Sequence, residues 1–321
     1  MAQPGVNILS RAPRIAVLIP CYNEEISVPT VIRQFKESLP EARICVFDNN
    51  SSDRTSEIAR LNGAEVYFVE LQGKGNVVRR MFADIEADIY VMVDGDATYD
   101  APSAPQMIKK LIKDRLDMVV GVRKDDDIEA YRRGHRFGNW LLTSCVSLIF
   151  RGQFSDMLSG YRVFSRRYVK SFPALAVGFE TETELTVHAL ELRMPWSEME
   201  TPYSARPEGS TSKLSTYRDG IKILVMIVRL YKAERPLSFF GGIAGILTLM
   251  AWLVAIPLFL TYFNTEQVPR LPTAILVTGI QILAVMSLVC GIVLDTVTRG
   301  RQEFKRLFYL GITSESEKFQ Q

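Results

Sequence analysis

Charge is missing altogether from two stretches of this chain. Residues 237–263 (LSFFGGIAGILTLMAWLVAIPLFLTYF) and 273–294 (TAILVTGIQILAVMSLVCGIVL) contain no Asp, Glu, Lys, Arg or His. Each is long enough to cross a hydrocarbon core of about 30 Å. Soluble core helices rarely run past about 20 uncharged residues, so the pair reads as two transmembrane helices, C-terminal and paired unlike a cleaved signal peptide. Cysteine is also scarce: Cys21, Cys45, Cys145 and Cys290 lie in apolar surroundings with no CxxC spacing. That argues against disulfide and zinc sites and agrees with a reducing compartment. The two histidines, His135 and His188, lack the carboxylate or cysteine partners of a metal site. No GxGxxG turn follows the first apolar run and no GxxxxGK[ST] occurs, so neither a dinucleotide-binding Rossmann site nor a P-loop is present.

The chain's 38 basic and 36 acidic residues nearly balance, for a formal charge of +2, and no nucleic-acid partner is expected. The layout of the charges is uneven. Arg229, Lys232 and Arg235 precede the first span, Arg299, Arg301, Lys305 and Arg306 follow the second, and the connection holds only Arg270. The positive-inside rule then predicts a multi-pass protein of the cytoplasmic (inner) membrane with both termini and the large N-terminal domain in the cytoplasm. On that topology the overlapping sequons at Asn49 and Asn50 never meet a glycosylation machinery.

What the first 125 residues do contain is alternation. Apolar runs at 14–20, 42–48, 64–70, 88–94 and 117–122 are separated by amphipathic helical patterns, which predicts an α/β domain with a mostly parallel central sheet. Ligands of such sheets bind beyond the carboxyl ends of the strands. Each of those ends carries a polar cluster: Tyr22-Asn23-Glu24-Glu25, then 48–53 (DNNSSD), then Gly73-Lys74-Gly75, then Asp94-Gly95-Asp96, then Arg123. Asp94 and Asp96, at i and i+2 around a glycine, can place oxygens on one divalent ion, Mg²⁺ or Mn²⁺, alongside substrate phosphate oxygens. A solvated acidic turn is the plainer reading of such a pair, and the four other rim clusters weigh against it.

The segments IPCYNEE, DNNSSDRT, GKGNVVRRM, VMVDGDATYD and SDMLSGYRVFSRR resemble, in order and spacing, glycosyltransferase family 2 and its GT-A fold. The match covers roughly residues 14–220 and is most similar to the polyprenyl-phosphate glycosyltransferases, among them dolichol-phosphate mannose synthases and bacterial undecaprenyl-phosphate glucosyltransferases. Where dolichol-phosphate mannose synthases often carry a glutamine two places after the second aspartate, this chain has Thr98. The resemblance implies a nucleoside site lined by Pro20, Tyr22, Asn23 and Glu24, with Asp48 accepting from the base, Asp53 near it, and Lys74, Asp94 and Gly95 on the diphosphate side. Asp48 and Asp53 also suit the start of a helix at 55. Asp94 and Asp96 are the implied metal ligands, and Asp156 occupies the catalytic-base position. Arg123, Arg133 and Lys213 are favoured as ligands of the acceptor phosphate, whose dianion needs fixed cations; Arg132, Arg136 and Arg206 are further cations in the same regions. Glu180, Glu182 and Glu184 fall at a predicted helix start, where acidic residues are favoured anyway, and are not read as catalytic.

The expected organisation is a catalytic domain at 1–213, a juxtamembrane amphipathic helix at 214–236, a transmembrane hairpin at 237–298 and a cytoplasmic tail at 299–321. The expected reaction is inverting transfer of a hexose, glucose from UDP-glucose, to undecaprenyl phosphate as the polyprenyl-phosphate acceptor. The alternatives are a GDP-mannose-dependent mannosyltransferase and a non-catalytic anchor that binds a nucleotide-sugar and recruits a flippase. No QxxRW occurs, which disfavours a processive polysaccharide synthase. Small residues in FFGGIAG would allow close helix packing and hence a homo-oligomer.

Overall fold

The computed structural model describes residues 12–125, 154–174, 180–204, 206–207, 228–268 and 270–313, together with 144, 178 and 225. Contacts divide the chain into two units, Met1–Gly220 with Lys305–Gln321, and Ile221–Phe304.

The first unit is built on a seven-stranded sheet in the order β3-β2-β1-β4-β6-β5-β7. Its strands are β1 Ile15–Cys21, β2 Arg43–Asp48, β3 Glu65–Phe68, β4 Ile89–Met92, β5 Met118–Asp125, β6 Arg162–Ser165 and β7 Trp196–Tyr203. The first five lie where the apolar runs predict them. β1 pairs in parallel with β2 and β4, for example Val17 with Ile44 and with Val91. Because both faces of these strands are covered, they read as continuous apolar runs rather than as alternation. The helices α1 Val28–Ser38, α2 Thr55–Leu61, α3 Lys74–Asp84 and α4 Ala104–Lys113 supply the crossovers. Val31, Ile32 and Phe35 of α1 and Met107, Ile108 and Leu111 of α4 pack on Val17, Val91, Val119 and Val163 in one core.

β6 breaks the parallel pattern, pairing antiparallel with both β4 and β5. β5 therefore runs with β4, and β7 runs parallel to β5. This topology decides the site. The carboxyl ends of β1, β2, β4, β5 and β7 share one rim with the amino end of β6, so the residues just before Arg162 reach the same edge as those just after Met92. Two helices follow β6: α5 Arg166–Ser171 and α6 Thr181–Glu191.

The chain's second unit contains α7 Pro236–Thr265 and most of α8 Leu271–Gly311. Both are long and apolar enough to cross a membrane, and only 17% and 11% of their most apolar windows are buried. A soluble core helix would be mostly covered; here Trp252, Phe263, Ile275 and Leu283 are exposed, as lipid-facing side chains are. Within the hairpin, Ser287 Oγ donates to Phe240 O at 3.1 Å and Arg301 pairs with Glu234 at 2.7 Å. The α8 helix runs past the hairpin end expected at 298, since no breaker interrupts it before Gly311. Its final turns, from Lys305, belong to the first unit: Lys305 pairs with the buried Glu191 at 2.7 Å and Tyr309 donates to Asp117 at 2.6 Å. The amphipathic helix expected at 214–236 falls mostly outside the described residues.

His188 on α6 is a structural histidine. It is 2% exposed, its Nε2 lies 3.1 Å from Ser171 Oγ, and burial, helped by the charge of Lys305, pushes its imidazole down to about 3. The unfolded chain protonates this ring near pH 6.5 while the folded one does not, so folding stability falls as pH drops below that value. The slope expected from this one group is about 1.4 kcal/mol per pH unit. Thermal unfolding of the detergent-solubilised protein between pH 7 and 5 should show it, and His188→Gln should flatten it.

Candidate active site

On the β1–β2 side of the rim, two loops are fastened to each other. Asn23, at φ 53° in the left-handed region that asparagine tolerates, donates its N–H to Ser51 Oγ at 2.9 Å and accepts from Ser52 N at 2.8 Å. Glu24 N donates to Thr55 Oγ1 at 2.9 Å and Glu25 N to Asp53 Oδ2 at 3.1 Å. Asp48 is 4% exposed and takes Ser51 N on one oxygen and Ser56 Oγ on the other. Asp53 accepts from Thr55 N at 3.0 Å, steadying the start of α2, while Arg54 holds the N-cap position itself. Asn23, Glu24, Asp48 and Asp53 thus meet in one place, with Pro20 on β1 beside Phe47 of β2 and Tyr22 partly exposed above.

Beyond β4 the carboxylates are held by cations. Asp94 Oδ1 takes Lys74 Nζ at 2.5 Å, and the same ammonium pairs with Glu182. Lys74 opens α3 after Gly73, whose φ of 127° suits only glycine. Burial alone would lower the lysine's pKa; the charges of Asp94 and Glu182 outweigh it and raise the pKa above the usual lysine value, so the ammonium persists at any physiological pH. Asp96, 5% exposed, accepts from Thr98 Oγ1 at 2.6 Å and pairs with Arg206 at 2.7 Å. The Thr98 hydroxyl is therefore spent on orienting Asp96. Gly95 is required by packing, since a Cβ there would press on Cys21 Sγ and lie 3.3 Å from Pro20 O.

Asp156 and Arg123 form a bidentate pair, Nε to Oδ2 at 2.6 Å and Nη2 to Oδ1 at 2.8 Å, with the guanidinium 5.5 Å from the Tyr203 ring. The loop behind Asp156 is set by Arg162, a fully buried guanidinium donating to Met157 O at 2.5 Å, Ser159 O at 3.0 Å and Thr186 Oγ1 at 2.9 Å. Fixed carbonyls and a hydroxyl replace water around a charge that is otherwise costly to bury.

The rim thus assembles Asp94, Asp96, Lys74, Arg123 and Asp156. Arg133 and Lys213 lie outside the described residues, as do Arg132 and Arg136. Glu182 was legible only as an acid at a helix start, yet it stands three residues before the buried Leu185 and four before the buried Thr186, on an apolar face where a carboxylate needs a partner. Among the described residues no three His, Cys, Asp or Glu side chains cluster as a metal site, consistent with the ammonium lying between Asp94 and Glu182.

A Cβ on Gly160 would collide with Asp94 Oδ2 and Cγ, so the β6 approach leaves no room there. Gly160→Ala is expected to cut transfer activity by about a hundredfold by displacing Asp94, with only a small change in melting temperature. Steady-state rates and a thermal melt on the same preparation check it.

A family model described as glycosyl transferase family 2 matches residues 16–172. Glycosyltransferase AglJ of Haloferax volcanii is 31% identical over 300 residues, covering 91% of this chain and 97% of the relative. A dolichyl-phosphate hexose transferase of the same organism is 28% identical over 226 residues, 69% of this chain and 95% of the relative. Among solved structures, glucosyl-3-phosphoglycerate synthase of Mycobacterium tuberculosis, in complex with Mn²⁺, uridine diphosphate and phosphoglyceric acid, is similar with a TM-score of 0.55 at 22% identity, over 67% of this chain and 78% of that one. That likeness concerns fold. With one relative matched almost end to end and the family model spanning β1 to β6, the chain belongs to glycosyl transferase family 2 and is a glycosyltransferase of the GT-A fold.

Proposed function

We propose that this glycosyltransferase moves glucose from UDP-glucose to undecaprenyl phosphate, with inversion, at the cytoplasmic face of the inner membrane. The observation that carries the reading is the presence, in one chain, of this catalytic rim and two helices left largely uncovered by protein. An acceptor dissolved in the bilayer is the substrate class for which such an enzyme needs an anchor. The relative named dolichyl-phosphate hexose transferase supports the same class. The Lys and Arg flanks favour a cytoplasmic catalytic domain at 1–213, with 214–236 at the interface, 237–298 in the bilayer and 299–321 as a cytoplasmic tail. A homo-oligomer packed through FFGGIAG and a flippase acting on the product belong to the same reading.

Asp94 and Asp96 fit a divalent cation by their chemistry, both being hard oxygen ligands; a bound ion would take the places beside them that the Lys74 ammonium and the Arg206 guanidinium hold in this structure. Mg²⁺ or Mn²⁺ held there would supply charge to the leaving nucleoside diphosphate. Pro20, Tyr22, Asn23, Glu24, Asp48 and Asp53 line the nucleoside end, and Lys74 and the Gly95 turn the diphosphate end. A phosphate oxygen of the acceptor attacks the anomeric carbon while the bond to the diphosphate breaks with its electron pair. Arg123, Arg133 and Lys213 offset the repulsion between the two anions. Asp156, aligned by Arg123, orients the acceptor and takes the residual proton from its monoanionic fraction.

Purified protein is incubated with Mg²⁺ or Mn²⁺, undecaprenyl phosphate and a panel of radiolabelled UDP- and GDP-sugars, and the lipid is extracted. Label is expected from UDP-glucose, is lost in Asp96→Ala, and falls further in Asp156→Asn near pH 6 than near pH 8, because the acceptor's second pKa is about 6. Label from GDP-mannose alone would replace the donor, an equal Asp156→Asn loss at both pH values would remove the proton role, and no label from any donor would overturn the reading.

A further inference from the structure

Glu182 is the rim residue that neither helix packing nor the metal pair accounts for. Its side chain is 6% exposed and one oxygen pairs with Lys74. The other, Oε2, is buried and has no hydrogen-bond partner among the described residues. A carboxylate oxygen left unsatisfied inside a protein is costly and calls for an explanation. The group that completes it must be a donor. Phosphate oxygens are acceptors at neutral pH and cannot serve. A second cation is disfavoured, since the Lys74 ammonium already lies between Asp94 and Glu182 and would repel it. A neutral hydroxyl remains, and a hexose attached to the diphosphate carries several.

We infer that Glu182 is a ligand of the donor sugar: its unpartnered Oε2 accepts a hydrogen bond from a hexose hydroxyl and so selects the sugar by the position of that hydroxyl. The inference rests on the nucleotide-sugar reading given above. Position supports it. Lys74 ties Glu182 directly to Asp94, the first carboxylate of the diphosphate side, and a hexose in a nucleotide-sugar lies one bond beyond the diphosphate. In the ligand-free protein Lys74 closes over both acids. When the donor's phosphates draw the ammonium toward themselves, Glu182 opens to the sugar. A charge-assisted bond of this kind discriminates strongly, because a sugar presenting no hydroxyl there leaves the carboxylate unpaired.

The test compares two probes in each of three full-length proteins, wild type, Glu182→Ala and the isosteric Glu182→Gln, all in detergent with Mn²⁺ and with melting temperatures recorded. Titration with UDP-glucose and with UDP separates the sugar from the nucleotide. The expected result is a loss of roughly tenfold or more in UDP-glucose affinity in Glu182→Ala, a smaller loss in Glu182→Gln, and less than about twofold change for UDP in either. A narrowed preference for UDP-glucose over UDP-galactose should accompany it. A parallel loss for both probes would overturn the inference, placing Glu182 on the phosphates through Lys74; so would unchanged binding of both. A wild type that binds neither UDP-glucose nor GDP-mannose would overturn the nucleotide-sugar reading and this inference together, an outcome the first two do not produce.

Discussion

Pairing between acids and bases on one rim is the constraint on which the rest of the site depends. A sheet that ends six parallel strands and begins an antiparallel one along a single edge brings Asp94, Asp96, Asp156 and Glu182 into a partly dry space. Like charges there repel several times more strongly than in water. Three cations prevent this: Lys74 between Asp94 and Glu182, Arg206 on Asp96, and Arg123 on Asp156. Removing one member of such a pair leaves the charge of the other uncompensated.

The same pairs prepare the protein for anionic substrates. A nucleotide-sugar brings negative charge to a rim where cations already stand. Packing fixes the spacing. Gly95 lets β4 turn against Cys21 and Pro20, Gly160 leaves room for Asp94, and Arg162 binds the loop behind Asp156 to α6. Ala97, between Asp96 and Thr98, sits at φ 59°, a left-handed conformation that costs about 1 kcal/mol or more and that lets Thr98 reach back to Asp96.

Much of the fold is legible in the sequence because it is local. Buried parallel strands announce themselves as apolar runs, and the clusters at Tyr22, Asp48, Lys74, Asp94 and Arg123 mark their carboxyl ends. The partnerships across the rim are not local. Asp156 finds Arg123 only because β6 inserts antiparallel between β4 and β5, and no periodicity in the chain specifies that insertion. Glu182 lies more than a hundred residues from Lys74, and Arg206 a similar distance from Asp96, so their roles emerge only when α6 and the end of β7 are placed. Asp53, read from the sequence as lying near the base or at a helix start, also ties the loop after β1 to the loop after β2 through Glu25 N, a use visible only in three dimensions.

If the Arg206 guanidinium holds Asp96 where a divalent ion would otherwise bind, taking it away should change how the rim receives a metal before any nucleotide is present. Titrating Mn²⁺ into the nucleotide-free protein and into Arg206→Ala reads this directly. Charge pairing at the rim predicts weak binding to the wild type and binding several-fold tighter to Arg206→Ala. Equal or weaker binding to Arg206→Ala would contradict it.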